Sequence, residues 1–294
     1  MEWLDLSRVV IAIAILVIAS ISDWRTRMAS DLNWLFLGCV GLGLIIYQLA
    51  YTNQPYGYYL FIIPLGVVFF DIFWDRKGIF EDGLNVVPLI FYIAAFISFA
   101  YLFYNFWQEE LFWQLLVVLI MFFVFMFLYQ FDIIKGGADA KALIALSLVF
   151  PTYPIFYGFP IVPVDYSVMT LVFPFSLLIL FNAAILSLVV PISLFFLNGA
   201  KRDFKVPAMF LGYRMDLRDA KKRFVWPMER VEDGQLKFAY FPKENDDHVA
   251  MLEALEKAGV KRVWVTPKIP FLIFITAGLI MSVIVGNLVL LFMS

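Results

Sequence analysis

Two aspartates stand where one apolar run ends and another begins, positions at which a carboxylate needs a reason. Asp139 lies in Phe131-Asp132-Ile133-Ile134-Lys135-Gly136-Gly137-Ala138-Asp139-Ala140-Lys141, and Asp23 lies in Ile21-Ser22-Asp23-Trp24-Arg25-Thr26-Arg27. Two carboxylates sharing one proton can hydrolyse a peptide bond without histidine, cysteine or metal. One acts as base on a water while the other donates to the carbonyl oxygen, and repulsion at close range keeps one of them protonated near neutrality. Such a pair titrates as a unit. Gly136 and Gly137 let the backbone approach a substrate strand or take a conformation barred to other residues. The pair therefore reads as the dyad of an aspartic protease in or at the border of a membrane.

Plainer readings stand beside this one. Asp23 can pair with Arg25 or Arg27, and Asp139 can cap the positive end of the helix that follows it. Two acids in a membrane can also mark a proton or cation path. Asp132 and Asp71 are the confusable acids, ranked behind Asp139 because they lack its flanking glycines.

Other enzyme classes are excluded by residue usage. The one histidine, His248, lies in a polar segment, so the spans hold neither a His-Glu-x-x-His zinc site nor a histidine base for a serine nucleophile. Cys39, alone inside a span, excludes an intrachain disulfide and a cysteine-rich metal site. Nothing implies a metal or cofactor, and no nucleic-acid partner is expected.

The elements that must position the acids follow from composition. With 63% hydrophobic, 19% aromatic and only 16% charged residues, the 294-residue chain is expected to span a bilayer several times. Apolar runs predict spans near 4–22, 32–51, 58–74, 86–105, 111–131, 139–150, 168–197 and 270–292. The sixth is short and stops at Pro151, so it is expected to tilt, extend past the border or lie deep in the bundle; the seventh carries Pro174 and Pro191 and is expected to kink or run into the cytoplasm. Glu2 and Asp5 stand where a cleavable signal peptide would be positive, so the first span is expected to stay. Arg25, Arg27, Arg76, Lys77 and Lys135 mark one side as cytoplasmic, with Arg8 as the exception. This topology has both termini outside and sets Asp23 and Asp139 at the same cytoplasmic border.

Residues 199–268 carry most of the 22 Lys and Arg but fewer than half of the 24 Asp and Glu, and read as a small water-exposed α+β domain. A helix is predicted over Glu244–Ala258, with strands at Arg223–Trp226, Leu236–Phe241 and Lys261–Thr266 and a turn at Glu232-Asp233-Gly234. His248 reads as a surface residue near a helix start, and Lys221-Lys222-Arg223 as a solvated face or a contact for anionic headgroups. The expected fold is thus an all-α polytopic membrane protein of about eight helices, with a transmembrane core (1–198), a cytoplasmic α+β domain (199–268) and a last transmembrane helix (269–294).

Gly136-Gly137-Ala138-Asp139-Ala140-Lys141-Ala142-Leu143 resembles the Gly-x-Gly-Asp region of type IV prepilin peptidases, particularly their archaeal preflagellin peptidase branch, with Ala138 in place of the last glycine. Ser22-Asp23-Trp24-Arg25-Thr26-Arg27-Met28-Ala29-Ser30-Asp31 is similar to the family's first motif, with Ser30-Asp31 where many members have Pro-Asn. Lys261-Arg262-Val263-Trp264-Val265-Thr266-Pro267-Lys268-Ile269-Pro270 looks like the C-terminal module of longer archaeal members. The two acids stand further apart in sequence than in compact members, which a pair of inserted spans would explain without changing sidedness.

The resemblance implies a multi-pass cell-membrane endopeptidase with Asp23 and Asp139 as catalytic residues. Its partners would be membrane-inserted preflagellin or prepilin-like proteins, cleaved between a short basic leader and an apolar helix at the cytoplasmic border. Asp31, Asp75, Glu81 and Asp82 are inside-facing acids that either attract such a leader or are simply solvated. Two alternatives stay open. A presenilin-like or signal-peptide-peptidase-like protease shares the motif, although the fifth span ends Tyr129-Gln130-Phe131-Asp132 and no Pro-Ala-Leu motif precedes the last span. A non-enzymatic transporter would couple the acids to ion flux.

Overall fold

The computed structural model describes residues 2–81, 83–162, 166–232, 235–240 and 247–288. It is mostly helical, with a small α/β region towards the C-terminus, and packs as two compact units, Met1–Leu186 with Pro270–Ser294 and Ser187–Ile269.

The first unit contains α1 (Glu2–Thr26), α2 (Asp31–Tyr51), a 3-10 turn (Tyr56–Phe61) running into α3 (Ile62–Asp71), α4 (Val86–Phe106), α5 (Glu110–Gln130), α6 (Gly137–Val149), α7 (Tyr166–Val172) and α8 (Phe175–Ser187). After the second unit the chain returns as α13 (Phe271–Ile284). Each of the eight predicted runs contains helix. Among the described residues five helical stretches are long and apolar enough to cross a membrane: α1, α2, α4, α5 and Phe175–Lys201. Tyr56–Asp71, α6 and α13 are shorter.

The centre of this unit is α6. From Ala142 to Val149 every side chain is buried, and the helix packs against α2, α5, α1 and α13. A helix apolar on all sides is stable only inside a bundle. At about 1.5 Å per residue it is roughly 20 Å long, short of a full bilayer crossing. Lipid tails are as apolar as leucine, so helix association here depends on close van der Waals contact at small residues. Gly41 of α2 supplies one such contact, since a Cβ there would lie 2.8 Å from the Leu148 backbone, and Gly278 of α13 supplies another against the Ile179 carbonyl, at 2.6 Å. Ser20 and Thr276 hydrogen-bond at 2.9 Å between α1 and α13.

Arg8, the exception to the charge asymmetry, is buried and donates to Gln48 at 2.6 Å and to Asp5 at 3.3 Å, so it is a packed core cation and carries no information about a loop. The long seventh run breaks at Phe173-Pro174, where proline removes the N–H a continuous helix needs.

The second unit begins with α9 (Val189–Lys201), which ends on Arg202 at φ 59°, and continues through α10 (Ala208–Leu211). It then forms β1 (Tyr213–Asp216), α11 (Leu217–Ala220), β2 (Val225–Pro227), β3 (Glu229–Glu232), β4 (Gln235–Phe238), α12 (His248–Lys257) and β5 (Arg262–Pro267). The antiparallel order β1-β5-β2 puts β5 at the centre, and β3-β4 forms a separate hairpin. Leu252 and Leu255 of α12 pack with Met215, Val225, Val263 and Val265. The predicted strands are present as β2, β4 and β5, while β1 and β3 are additions. Asp247 caps α12, accepting the Val249 and Ala250 N–H groups at 3.1 and 3.0 Å. His248 is half-buried with its ring 6.2 Å from that of Trp226. The predicted start of this helix at Glu244, the end of the strand at Phe241 and the turn at Asp233-Gly234 lie outside the described residues.

Candidate active site

Asp23 occupies the last turn of α1. The helix stops at Arg27, whose φ of 59° turns the chain while its N–H still bonds to the Asp23 carbonyl at 2.9 Å. Thr26 Oγ1 donates to the Ser22 carbonyl at 2.8 Å, and Ser22 Oγ donates to the Met28 carbonyl at 3.1 Å, folding the turn back on the helix end. Ser30 then caps α2 by accepting the Leu32 N–H at 3.3 Å. The half-buried Asp23 carboxyl also interacts with the Arg27 guanidinium, which lies 5.5 Å from the Trp24 ring. The plainer Asp23–Arg27 reading is thus part of the structure.

Asp139 is the third residue of α6, with Gly136 as N-cap in an extended conformation. Its N–H and that of Ala140 bond to the Gly136 carbonyl at 3.1 and 3.2 Å. Its carboxyl, buried to 8% exposure, folds over Gly136 so closely that a Cβ there would overlap Oδ2. Gly137 packs in turn against the Tyr129 hydroxyl, 3.3 Å from where its Cβ would be. Both glycines therefore make room for functional groups at the mouth of α6. Ala138 lies between Gly137 and the acid, half-buried, within the first turn.

Packing of α1 against α6 brings Asp23 and Asp139 within electrostatic reach of each other. No hydrogen bond joins the two carboxyls among the described residues. The arrangement is a buried carboxyl at a positive helix end, with a second, half-exposed carboxyl within its electrostatic reach. Such a pair can hold one shared proton and polarise a water between its members.

The other acids are placed differently. Asp132 is exposed and holds φ 55° in the turn after α5, its N–H bonded to the Tyr129 carbonyl at 3.1 Å, a backbone role that aspartate tolerates. Asp71 accepts Arg76 Nε and Nη2 on one oxygen, at 2.8 and 2.5 Å, and the Tyr92 hydroxyl on the other, at 2.7 Å. Asp31 is paired with Lys141 Nζ at 2.7 Å, and Lys141 also lies 5.1 Å from the Phe73 ring. This tie between the starts of α2 and α6, and the approach of Tyr129 to Gly137, had no signal in the sequence. Asp75 is exposed, Glu81 accepts the Gly78 N–H at 2.9 Å, and Asp82 lies outside the described residues.

Residues 204–288 match the family described as archaeal peptidase A24 C-terminus type II. A preflagellin peptidase of Methanococcus voltae is 26% identical over 283 residues, covering 94% of this chain and 93% of its own length. A preflagellin peptidase of Methanocaldococcus jannaschii is 27% identical over 288 residues, 92% and 91% of the two chains. An uncharacterized protein of the same organism is 24% identical over 277 residues, 91% and 88%.

Proposed function

We propose that the chain belongs to the type IV prepilin peptidase family, in its archaeal preflagellin peptidase-like branch, and is an aspartic endopeptidase removing basic leaders from preflagellin or prepilin-like proteins. Asp23 and Asp139 are its catalytic pair, and Gly136, Gly137 and Ala138 shape the backbone beside them. The chain crosses the cell membrane eight times, with the pair and residues 199–268 on the cytoplasmic side. Cleavage takes place at that border, just before the apolar helix of the substrate.

The observation that carries this reading is the buried Asp139 carboxyl lodged over Gly136 with Asp23 in electrostatic reach. In the reaction the ionised carboxyl takes a proton from water, and the hydroxide attacks the scissile carbonyl carbon. The protonated carboxyl gives its proton to the carbonyl oxygen. When the tetrahedral diol collapses, the C–N bond breaks and the amine leaves with the proton taken from water, while the other carboxyl takes back a hydroxyl proton of the diol, which forms the new carboxyl terminus and restores the shared proton.

The test is cleavage of a preflagellin or prepilin leader by membranes carrying wild type, Asp23→Asn, Asp139→Asn or Asp132→Asn at matched protein levels. The first two substitutions are expected to lower kcat by about a thousandfold or more, and Asp132→Asn to leave it within about twofold because asparagine also adopts left-handed backbone. Normal cleavage by Asp139→Asn would overturn the assignment of the pair. A folded wild type that cleaves neither substrate would instead favour the presenilin-like or transporter reading.

A further inference from the structure

At the end of the bundle that holds the mouth of α6, a second built feature remains outside the proposed chemistry. Beyond α3 the chain makes tight turns, with the Phe73 and Trp74 N–H groups bonded to the Phe70 and Asp71 carbonyls at 3.1 and 3.2 Å. These turns set Asp71, Phe73 and Trp74 at one level. Phe73 touches Lys141, two residues past Asp139, so this level adjoins the mouth of α6. Beside it, between α3 and α4, lies a cavity of about 260 Å³ walled by Phe70, Trp74, Phe91 and Tyr92, with Asp71 among its lining residues.

Four aromatic walls and one carboxylate are the chemistry that recognises an organic cation, through attraction to the ring faces together with ion pairing. The chain already presents one cation there. Arg76 bonds to Asp71 through two nitrogens and lies 5.6 and 5.9 Å from the Trp74 and Tyr92 rings. The groove beside this ion pair is open to the exterior, with Phe70, Trp74 and Phe91 exposed along it, so a further side chain can enter. Asp71 is not fully enclosed either, with its side chain 27% exposed.

We infer that Asp71, Trp74 and Tyr92 form the subsite for a basic side chain of the substrate leader, a lysine or arginine, with Arg76 as the resident occupant that it displaces. This rests on the leader-peptidase reading, since a basic leader is the cationic segment presented at this border. Asp71 cannot fully neutralise two cations, so the leader and Arg76 compete for it. The cost of displacing Arg76 lowers apparent affinity, and weak leaders are rejected. Arg76 is then a specificity device built into the loop between α3 and α4.

The experiment measures kcat/KM for a preflagellin leader peptide and for versions with each Lys or Arg replaced in turn by Gln. The enzymes are full-length wild type, Asp71→Asn, Asp71→Glu and Arg76→Gln. At one leader position wild type is expected to prefer the basic residue by about tenfold. Asp71→Asn is expected to lose that preference, Asp71→Glu to keep most of it, and Arg76→Gln to lower KM for the basic leader several-fold. A binding readout independent of turnover uses the full chain carrying Asp139→Asn and a leader peptide with a photo-crosslinker beside the basic residue. Crosslinks are expected on residues 70–74 or 91–92, and to be lost when that residue is Gln. The inference is overturned if Asp71→Asn keeps the wild-type preference or if the crosslinks fall elsewhere. If the wild type does not cleave at all, the leader-peptidase reading fails, and crosslinking still decides whether the cavity takes a cation.

Discussion

The Asp139 carboxyl of α6 folds back over Gly136, its own N-cap, so that the space a side chain would need at position 136 is filled by Oδ2. The glycine is therefore a condition on where the acid can point. Gly136→Ala is expected to push the carboxyl aside while leaving the buried remainder of α6 intact. A displacement near 1 Å at a reacting group costs up to about a hundredfold in rate. Leader cleavage with matched membrane levels should show a loss of kcat of tenfold to a hundredfold. Gly43→Ala, where open space surrounds the new methyl group, should retain full rate. Equal rates for the two variants would mean that the close contact does not orient Asp139.

Asp31 and Lys141 form an ion pair between the starts of α2 and α6, with side chains 52% and 25% exposed. Pairs this open contribute about 0.2–1 kcal/mol, so Asp31→Asn should change thermal stability in detergent only slightly. Its informative consequence is for substrate. Because Asp31 is not among the residues lining the cavity inferred to hold the leader cation, removing its charge should leave the preference for a basic leader unchanged. A loss of that preference in Asp31→Asn, with Asp71→Asn unaffected, would move the leader subsite to α2.

The two acids of the proposed pair stand out in the sequence because it marks them locally: glycines and an alanine precede Asp139, and an arginine-rich turn follows Asp23. The burial of α6 was legible only as one of three outcomes, beside tilting and extension past the border, because a short apolar run does not by itself choose among them. Pro174 announced the break it causes. Pro191 marks the next one, since its missing N–H and its ring act on the carbonyl of Ser187 four residues back, where α8 ends, and it then sits in the first turn of α9, where an N–H has no helical partner. What stayed hidden depends on partners distant in the chain. Tyr213–Asp216 is a strand only through its pairing with Arg262–Val265, and Lys141 finds Asp31 only when α2 and α6 pack. Neither relation leaves a local pattern to read.

In the second unit, Glu229 is buried in β3, and burial raises its pKa above the ordinary 4.5, against the Trp264 N–H, Arg214 and Lys205, which act the other way. A carboxyl with a raised folded pKa holds its proton more tightly folded than unfolded. Folding is then relatively favoured below 4.5, and that advantage is lost as pH climbs from 4.5 through the folded pKa. Limited proteolysis of residues 204–268 in the full-length protein should become faster from pH 5 to pH 7. Glu229→Gln should flatten this dependence. An unchanged slope in the variant would assign the pH effect to other groups.

Asn182 of α8 secures the unwound end of α13. Its Nδ2 donates to Ser282 Oγ and to the Gly286 carbonyl, both at 2.8 Å, and its Oδ1 accepts the Leu288 N–H at 3.3 Å. Ser282 passes the bonding on to the Gly278 carbonyl at 2.7 Å, next to the close contact between Gly278 and Ile179. With Asn182 fully buried, no water replaces these bonds. Asn182→Leu has nearly the same size but leaves the Leu288 N–H and the Gly286 carbonyl without partners, at about 1–3 kcal/mol for each buried group. The expected loss is about 2–4 kcal/mol, because the groups can recover part of their bonding by relaxing into a 3-10 turn. Thermal unfolding in detergent should register it as a lower Tm, whereas Ser282→Ala, which leaves both backbone groups bonded to Asn182, should cost less. The reverse order would mean that the hydroxyl, and not the amide, holds the end of α13.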